Sequence, residues 1–142
     1  MNDSPFSDPP ELSGMAQMMG LRLTDWKPGH VRFEVEVNST HLNKGGVAHG
    51  GLIMTMLDSA LGGSLVSQLP KEEWCATTQL VTNFISPLNN GDHAIAKGRV
   101  IRRGKNVAHL SGEIHVDSRL VATATGTWVI WQSKPESLPG RS

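Results

Sequence analysis

The sequence predicts a single α+β domain, and three observations carry that prediction. Val31–Val37 alternates apolar and charged residues, the period of a strand with one wet face. From His49 to about Gln68 the period becomes helical, with Leu52, Ile53, Met56, Leu57, Ala60, Leu61, Ser64 and Leu65 in one broad apolar stripe. Thr77–Ile85, Ala94–Ile101, Val107–Val116 and Leu120–Trp131 are rich in β-branched and aromatic residues and are separated by turn-like segments. Strands that do not alternate with helices do not build a parallel sheet. The order is therefore strand, long helix, then an antiparallel meander of four strands.

In chain order, residues 1–10 and 132–142 are expected as flexible tails, because five of the eight prolines fall there beside Ser, Asp and Gly. The folded unit is residues 11–131. A short helix is predicted over Glu11–Gly20, with Leu12, Met15, Met18 and Met19 at helical spacing and Gly20 as its stop. Lys27-Pro28-Gly29 is a turn signal before the alternating strand, and Asn38–Ala48 reads as a loop. The helix after it spans roughly 18–20 residues, about 27–30 Å. It is apolar on much of its remaining surface, which predicts a central helix covered on most sides. Ser86-Pro87 with Asn89-Asn90-Gly91, Arg102-Arg103-Gly104-Lys105 and Asp117-Ser118-Arg119 separate the later strands.

Composition narrows the function. The chain has 142 residues, 38% of them apolar, enough for one core, and its 13 Lys and Arg balance 13 Asp and Glu. Neutral net charge lacks the broad basic footprint of a nucleic-acid binder. The single cysteine, Cys75, forms no internal disulfide, and the polar, Pro-rich Met1–Pro10 is unlike a secretory signal, so a cytoplasmic protein is expected. Gly45–Pro70, the longest weakly polar stretch, carries too many polar groups for a membrane span. There is no Gly-x-Ser-x-Gly, P-loop, dinucleotide fingerprint, cysteine cluster or His-Glu-x-x-His. His109, Glu113 and His115 share one strand parity and read as a polar sheet face, so no metal is expected.

The segment Asn43-Lys44-Gly45-Gly46-Val47-Ala48-His49-Gly50-Gly51, followed by a helix carrying Asp58, resembles the signature of hotdog-fold acyl-CoA thioesterases, closest to the phenylacetate-degradation subgroup. The resemblance covers roughly residues 12–131 and includes Phe84-Ile85-Ser86-Pro87 and Arg103-Gly104-Lys105. It implies a hotdog fold, a long helix wrapped by a curved antiparallel sheet. It also implies homodimers with composite active sites, frequently paired into homotetramers, and hydrolysis of an acyl- or arylacyl-CoA with no cofactor beyond the CoA of the substrate.

The residues also speak for themselves. Asp58 is the one formal charge between Lys44 and Lys71. It lies on the helix's exposed strip, or bonds to a neighbouring hydroxyl such as Thr55 or Ser59, or faces a cleft where burial would raise its pKa toward that of a useful base. Gly50 and Gly51 open the helix, where unpaired N–H groups carry partial positive charge and the absence of a side chain lets a carbonyl oxygen approach. Gly50 and Asp58 are eight residues apart, about 12 Å along one helix, so one thioester reaches both only if a second subunit supplies one of them. The resemblance assigns the glycine and Asn43 to one subunit and the carboxylate to its neighbour. Aligned on Ser86-Pro87, Thr77 matches a hydroxyl that helps hold the attacking water in relatives; it is otherwise an ordinary β-former. Asn43 would orient thioester or water through its amide, or serve its own loop. His49 either donates near the thioester or braces the loop.

Charge placement points to the other end of the ligand. Between His93 and Gly112 lie five basic residues and no acid, three of them in the turn Arg102, Arg103 and Lys105. Together with turn N–H groups they would hold CoA phosphates, or they form a solvated hairpin tip. Direct attack by Asp58 through a mixed anhydride competes with water activation. A non-catalytic acyl-CoA binding module and a hotdog hydratase or dehydratase are the alternative functions. The four tryptophans, Trp26, Trp74, Trp128 and Trp131, and the methionine-rich N-terminal segment line a pocket or, for most of them, the core. The subgroup resemblance implies a phenylacetyl or hydroxyphenylacetyl thioester, with medium-chain fatty acyl groups open.

Overall fold

A computed structural model of the chain describes residues 4–139. The elements are α1 (Gly14–Met18), β1 (Arg22–Lys27), β2 (His30–Glu36), a 3₁₀ turn (Ser39–His41), α2 (Gly50–Val66), β3 (Trp74–Phe84), β4 (His93–Arg103), β5 (Val107–Val116) and β6 (Arg119–Trp131). All six strands form one antiparallel sheet in the order β1-β2-β4-β5-β6-β3. The sheet curves around α2, which packs mainly on β4 with β2, β5 and β3 around it.

The eight residues of the predicted stripe are the buried residues of α2. They meet Val31, Phe33 and Val35 of β2, Ala94 and Ala96 of β4, Leu110 and Ile114 of β5, and Trp128 of β6 in one core. Close approach of helix to sheet depends on paired glycines. Gly98 and Gly112 stand opposite each other on β4 and β5. A Cβ on Gly98 would sit 2.3 Å from the Ala60 carbonyl oxygen, and one on Gly112 would sit 2.5 Å from Leu61 Cδ1. Any larger residue would lift α2 off its seat. Beside it, the Ser64 hydroxyl donates to Ala60 O and accepts from Val31 N–H, fastening α2 to the edge of β2.

Several expectations change. The helix is covered on one side only within this chain: Met54 is 43% exposed and Asp58 is exposed. β1 has no counterpart in the sequence reading, because a bulge between Leu23 and Asp25 breaks its alternation. β3 does not neighbour β4. Residues 85–92 are too long for the hairpin a meander needs, and they run instead from β6, where Ile85 N–H donates to Val121 O, to the loop before α2, where Asn89 bridges to Val47. β3 therefore lies on the far side, paired only with β6. The helix expected over Glu11–Gly20 is confined to α1, whose Met15 and Met18 point to solvent while Leu12, Ala16 and Met19 pack against the core.

Of the tryptophans only Trp128 is fully in the core; Trp26 packs on it, and Trp74 and Trp131 pair across β3 and β6. The segments read as tails make contacts. Ser7 N–H donates to Leu69 O and Trp26 Nε1 donates to Ser7 O, while the Lys134 ammonium lies 5.4 Å from the Trp74 ring centroid. Residues 1–3 and 140–142 of those segments lie outside the described residues.

Candidate active site

The sequence-predicted residues fall into two groups at different heights along α2. The first is at its entry. In the loop before the helix, the Asn43 side-chain oxygen accepts from Gly45 N–H at 2.8 Å and from Val47 N–H at 3.4 Å. Backbone donors require an acceptor, so they fix the oxygen inward and leave the amide NH₂ as the outward donor. Asn43 N–H closes the same loop onto Val47 O at 2.7 Å. Thus the loop-bracing role of Asn43 is built in, and it orients rather than excludes a donor role.

His49 is the N-cap of α2. Its Nδ1 accepts from Gly51 N–H at 2.8 Å, and its carbonyl accepts from Leu52 N–H at 3.0 Å. With Nδ1 accepting, the neutral ring carries its proton on Nε2, which faces outward as a donor. Gly51 N–H is therefore engaged by the cap. The N–H of Gly50 is a first-turn donor with no intrahelical acceptor, which leaves it available at the helix entry. Gly50 is also crowded: a Cβ there would stand 3.3 Å from Phe84 Cε1.

The second group lies two turns further along. Asp58 points toward β3, where Thr77 Oγ1 donates to Asp58 Oδ1 at 2.7 Å. Thr77 can reach because a bulge between Thr77 and Gln79 turns β3 there, and Thr78 Oγ1 donates to Thr127 O to hold it. Asp58 bonds neither to Thr55, whose hydroxyl donates to Gly51 O, nor to Ser59. The carboxylate is exposed in the single chain, so the burial expected around it is not provided by this chain's own fold. Cys75 is next to it, inside β3 rather than before it. Burial first, and the Asp58 charge second, push its thiol up to about 11. Both causes disfavour the thiolate, the reactive form of a cysteine.

Gly50 and Asp58 remain about 12 Å apart along α2 and are rotated by about 80° about its axis. The two groups do not meet within one chain. The basic turn stands apart from both and is partly neutralised: Arg103 pairs with Glu73, which enters β3 alongside the β4–β5 hairpin. Gly104 N–H is spent on Val107 O at 2.8 Å. Arg102 and Lys105 are left as exposed cations without a carboxylate partner among the ion pairs of the described residues.

With this geometry, comparison with known proteins is decisive. Residues 45–123, more than half of the chain, match the thioesterase superfamily model. The chain belongs to the thioesterase superfamily. It is 32% identical to a candidate esterase of Pseudomonas aeruginosa over 66% of this chain and 70% of the relative. It is 28% identical to human acyl-coenzyme A thioesterase 13 over 66% of each chain. A solved structure of a point mutant of the phenylacetic acid degradation protein PaaI from Thermus thermophilus superposes with a TM-score of 0.75 at 25% identity, over 80% of this chain and 96% of that one. Thioester hydrolysis is accordingly the class of reaction, on the expected hotdog fold.

Two further residues border the entry of α2. Phe84, which the sequence reading placed only within the matching segment Phe84-Ile85-Ser86-Pro87, sets its ring against Gly50. His41, 7% exposed, accepts from Asn38 N–H through Nδ1 and donates from Nε2 to Met19 O at 2.8 Å, while its own carbonyl accepts from His49 N–H. It thereby ties α1 to the cap of α2. A lone His in a polar loop carries no sequence signal for such a role. Among the described residues no helix is long and apolar enough to cross a membrane.

Proposed function

We propose that the chain hydrolyses an acyl-CoA thioester to a carboxylic acid and free CoA, in a site shared by two subunits. Asp58 takes a proton from water as the water oxygen attacks the thioester carbonyl. Gly50 N–H of the partner subunit's helix entry receives the developing oxyanion. Collapse of the tetrahedral intermediate expels the CoA thiolate, which recovers the proton from Asp58. The observation that carries this reading is the Thr77–Asp58 hydrogen bond. It occupies one carboxylate oxygen and leaves the other, with the hydroxyl oxygen, as two acceptors for one water.

The shared site is supported by β3. Among the described residues its outer edge has no strand beside it, and Val81 and Phe84 of the strand are 47% and 55% exposed. Such an edge is a template for a second copy. The strand touches α2 at both ends, Thr77 at Asp58 and Phe84 at Gly50. Antiparallel pairing of two β3 edges about a two-fold axis exchanges those ends, setting the carboxylate of one subunit beside the glycine of the other. The same pairing would cover the exposed strip of α2. A dimer of such dimers is the further assembly we propose.

Arg102 and Lys105 would meet the CoA phosphates, and no resident cofactor or metal enters these steps. The names of the relatives, an acyl-coenzyme A thioesterase and a phenylacetic acid degradation protein, support an acyl- or arylacyl-CoA substrate. The test is release of CoA, followed as free thiol, by wild type and Asp58→Asn. A folded Asp58→Asn enzyme with undiminished turnover refutes the assignment; a loss of about 100-fold or more in kcat supports it.

A further inference from the structure

Helix α1 raises a question that hydrolysis at Asp58 does not answer. It buries none of its own residues, and it presents Met15 and Met18 to solvent at 58% and 78% exposure. Apolar side chains gain nothing there. Yet α1 is deliberately held in place: Leu12, Ala16 and Met19 pack on the core, and the buried His41 grips the Met19 carbonyl. Between α1 and the start of α2 lies a cavity of about 500 Å³, lined by Met15, Met18, Met19, His49, Gly51 and Leu52 among others. Its wall is mostly apolar. Its polar end is the His49 cap and the first turn of α2, which are also the borders of the Gly50 N–H.

We infer that this cavity receives the apolar end of the acyl group and that Met15 and Met18 set its chain-length selectivity, an inference that rests on the thioesterase reading above. The cavity shares His49 and Gly51 with the carbonyl-polarising entry, so a thioester whose oxygen faces Gly50 has its acyl carbons directed to one side and its sulfur to the other. The volume is in the range of small-ligand sites. Unbranched, polarisable methionines reshape around different chains, which suits a tolerant pocket more than a rigid one. An aliphatic acyl chain gains about fourfold in kcat/KM for each methylene buried there, until the pocket is full.

Two measurements test this. In the first, methionine methyl groups are isotope-labelled and observed by NMR while octyl-CoA thioether, which cannot be hydrolysed, or CoA alone is added. The expected result is that the Met15 and Met18 methyl signals shift with the thioether and not with CoA. Unmoved signals in a protein that releases CoA from octanoyl-CoA overturn the pocket and leave the hydrolytic reading standing. Shifted signals without CoA release keep the pocket and overturn hydrolysis. In the second, kcat/KM is compared over straight-chain substrates from acetyl to dodecanoyl for wild type, Met15→Trp and Met18→Trp, exposed positions where a larger ring does not disturb the core. The ratio of octanoyl to acetyl kcat/KM should fall at least tenfold in one or both variants. A ratio unchanged in both overturns the assignment.

Discussion

Thr77 Oγ1 donates to Asp58 Oδ1 at 2.7 Å, joining the middle of α2 to a strand on the sheet's rim. The bond uses the hydroxyl proton, so the methyl group of threonine takes no part in it. Thr77→Ser should therefore keep kcat within a few-fold, whereas Thr77→Val, nearly isosteric but without the hydroxyl, should lose about 10- to 100-fold, the worth of a hydrogen bond to a charged group. Steady-state kinetics on folded variants decides it, and equal activity for Ser and Val would remove Thr77 from the reaction.

Gly50 is pressed by the Phe84 ring, 3.3 Å from where a Cβ would stand. Gly50→Ala should lower kcat by about 100-fold or more, as loss of an oxyanion donor does, because the methyl group displaces the substrate oxygen and pushes the ring. Adding Phe84→Leu relieves only the second effect. The double variant should regain stability, read by thermal melting, without regaining kcat. Full recovery of kcat would mean that Gly50 serves packing rather than catalysis.

The shared site makes a quantitative claim about mixtures. Asp58→Asn and Gly50→Ala subunits are each expected to be nearly inactive alone. Unfolded and refolded together in equal amounts, half of the dimers are mixed, and each mixed dimer holds one intact site of its two, so activity should return to about a quarter of wild type. No recovery in a mixture that light scattering shows to be dimeric would place both groups in one chain's own site.

Cys75 reports the charge on Asp58. Its thiol is held at about 11 by burial and, second, by the neighbouring carboxylate. Asp58→Asn removes the second cause, so thiolate should form, and alkylation should begin, at a lower pH than in wild type. Burial remains, so the titration stays above the ordinary thiol value of 9.0. Cys75 is the only cysteine, and ultraviolet absorbance of the thiolate follows it directly. A titration identical in the two proteins would show that Asp58 does not act on the thiol.

How far the sequence foretells this molecule depends on the length scale of each interaction. The stripe Leu52 to Leu65 is a local pattern, and helical geometry converts it into burial one residue at a time. Met15 and Met18 follow the same spacing yet face solvent, because a five-residue helix has too little surface for periodicity to choose its side. Thr77 carries no pattern of its own; its partner is a carboxylate on another element, and only alignment with relatives drew attention to it. The pairing of Glu73 with Arg103 is equally non-local: the run His93–Gly112 looks purely basic until the hairpin is laid beside the start of β3. The position of β3 itself escaped for the same reason, since which strand takes an edge is settled by the path of residues 85–92.

That edge position also orders events during synthesis. Within one chain β3 has a single neighbour, β6, which follows all the other strands among the described residues. While Arg119–Trp131 is still unmade, Trp74–Phe84 has nothing to pair with, and Thr77 is not held at Asp58. The helix and the β2-β4-β5 surface can gather earlier, since their contacts are already encoded. A chain that has not yet added β6 therefore lacks the strand that holds β3, and with it the Thr77–Asp58 contact on which the proposed water activation depends.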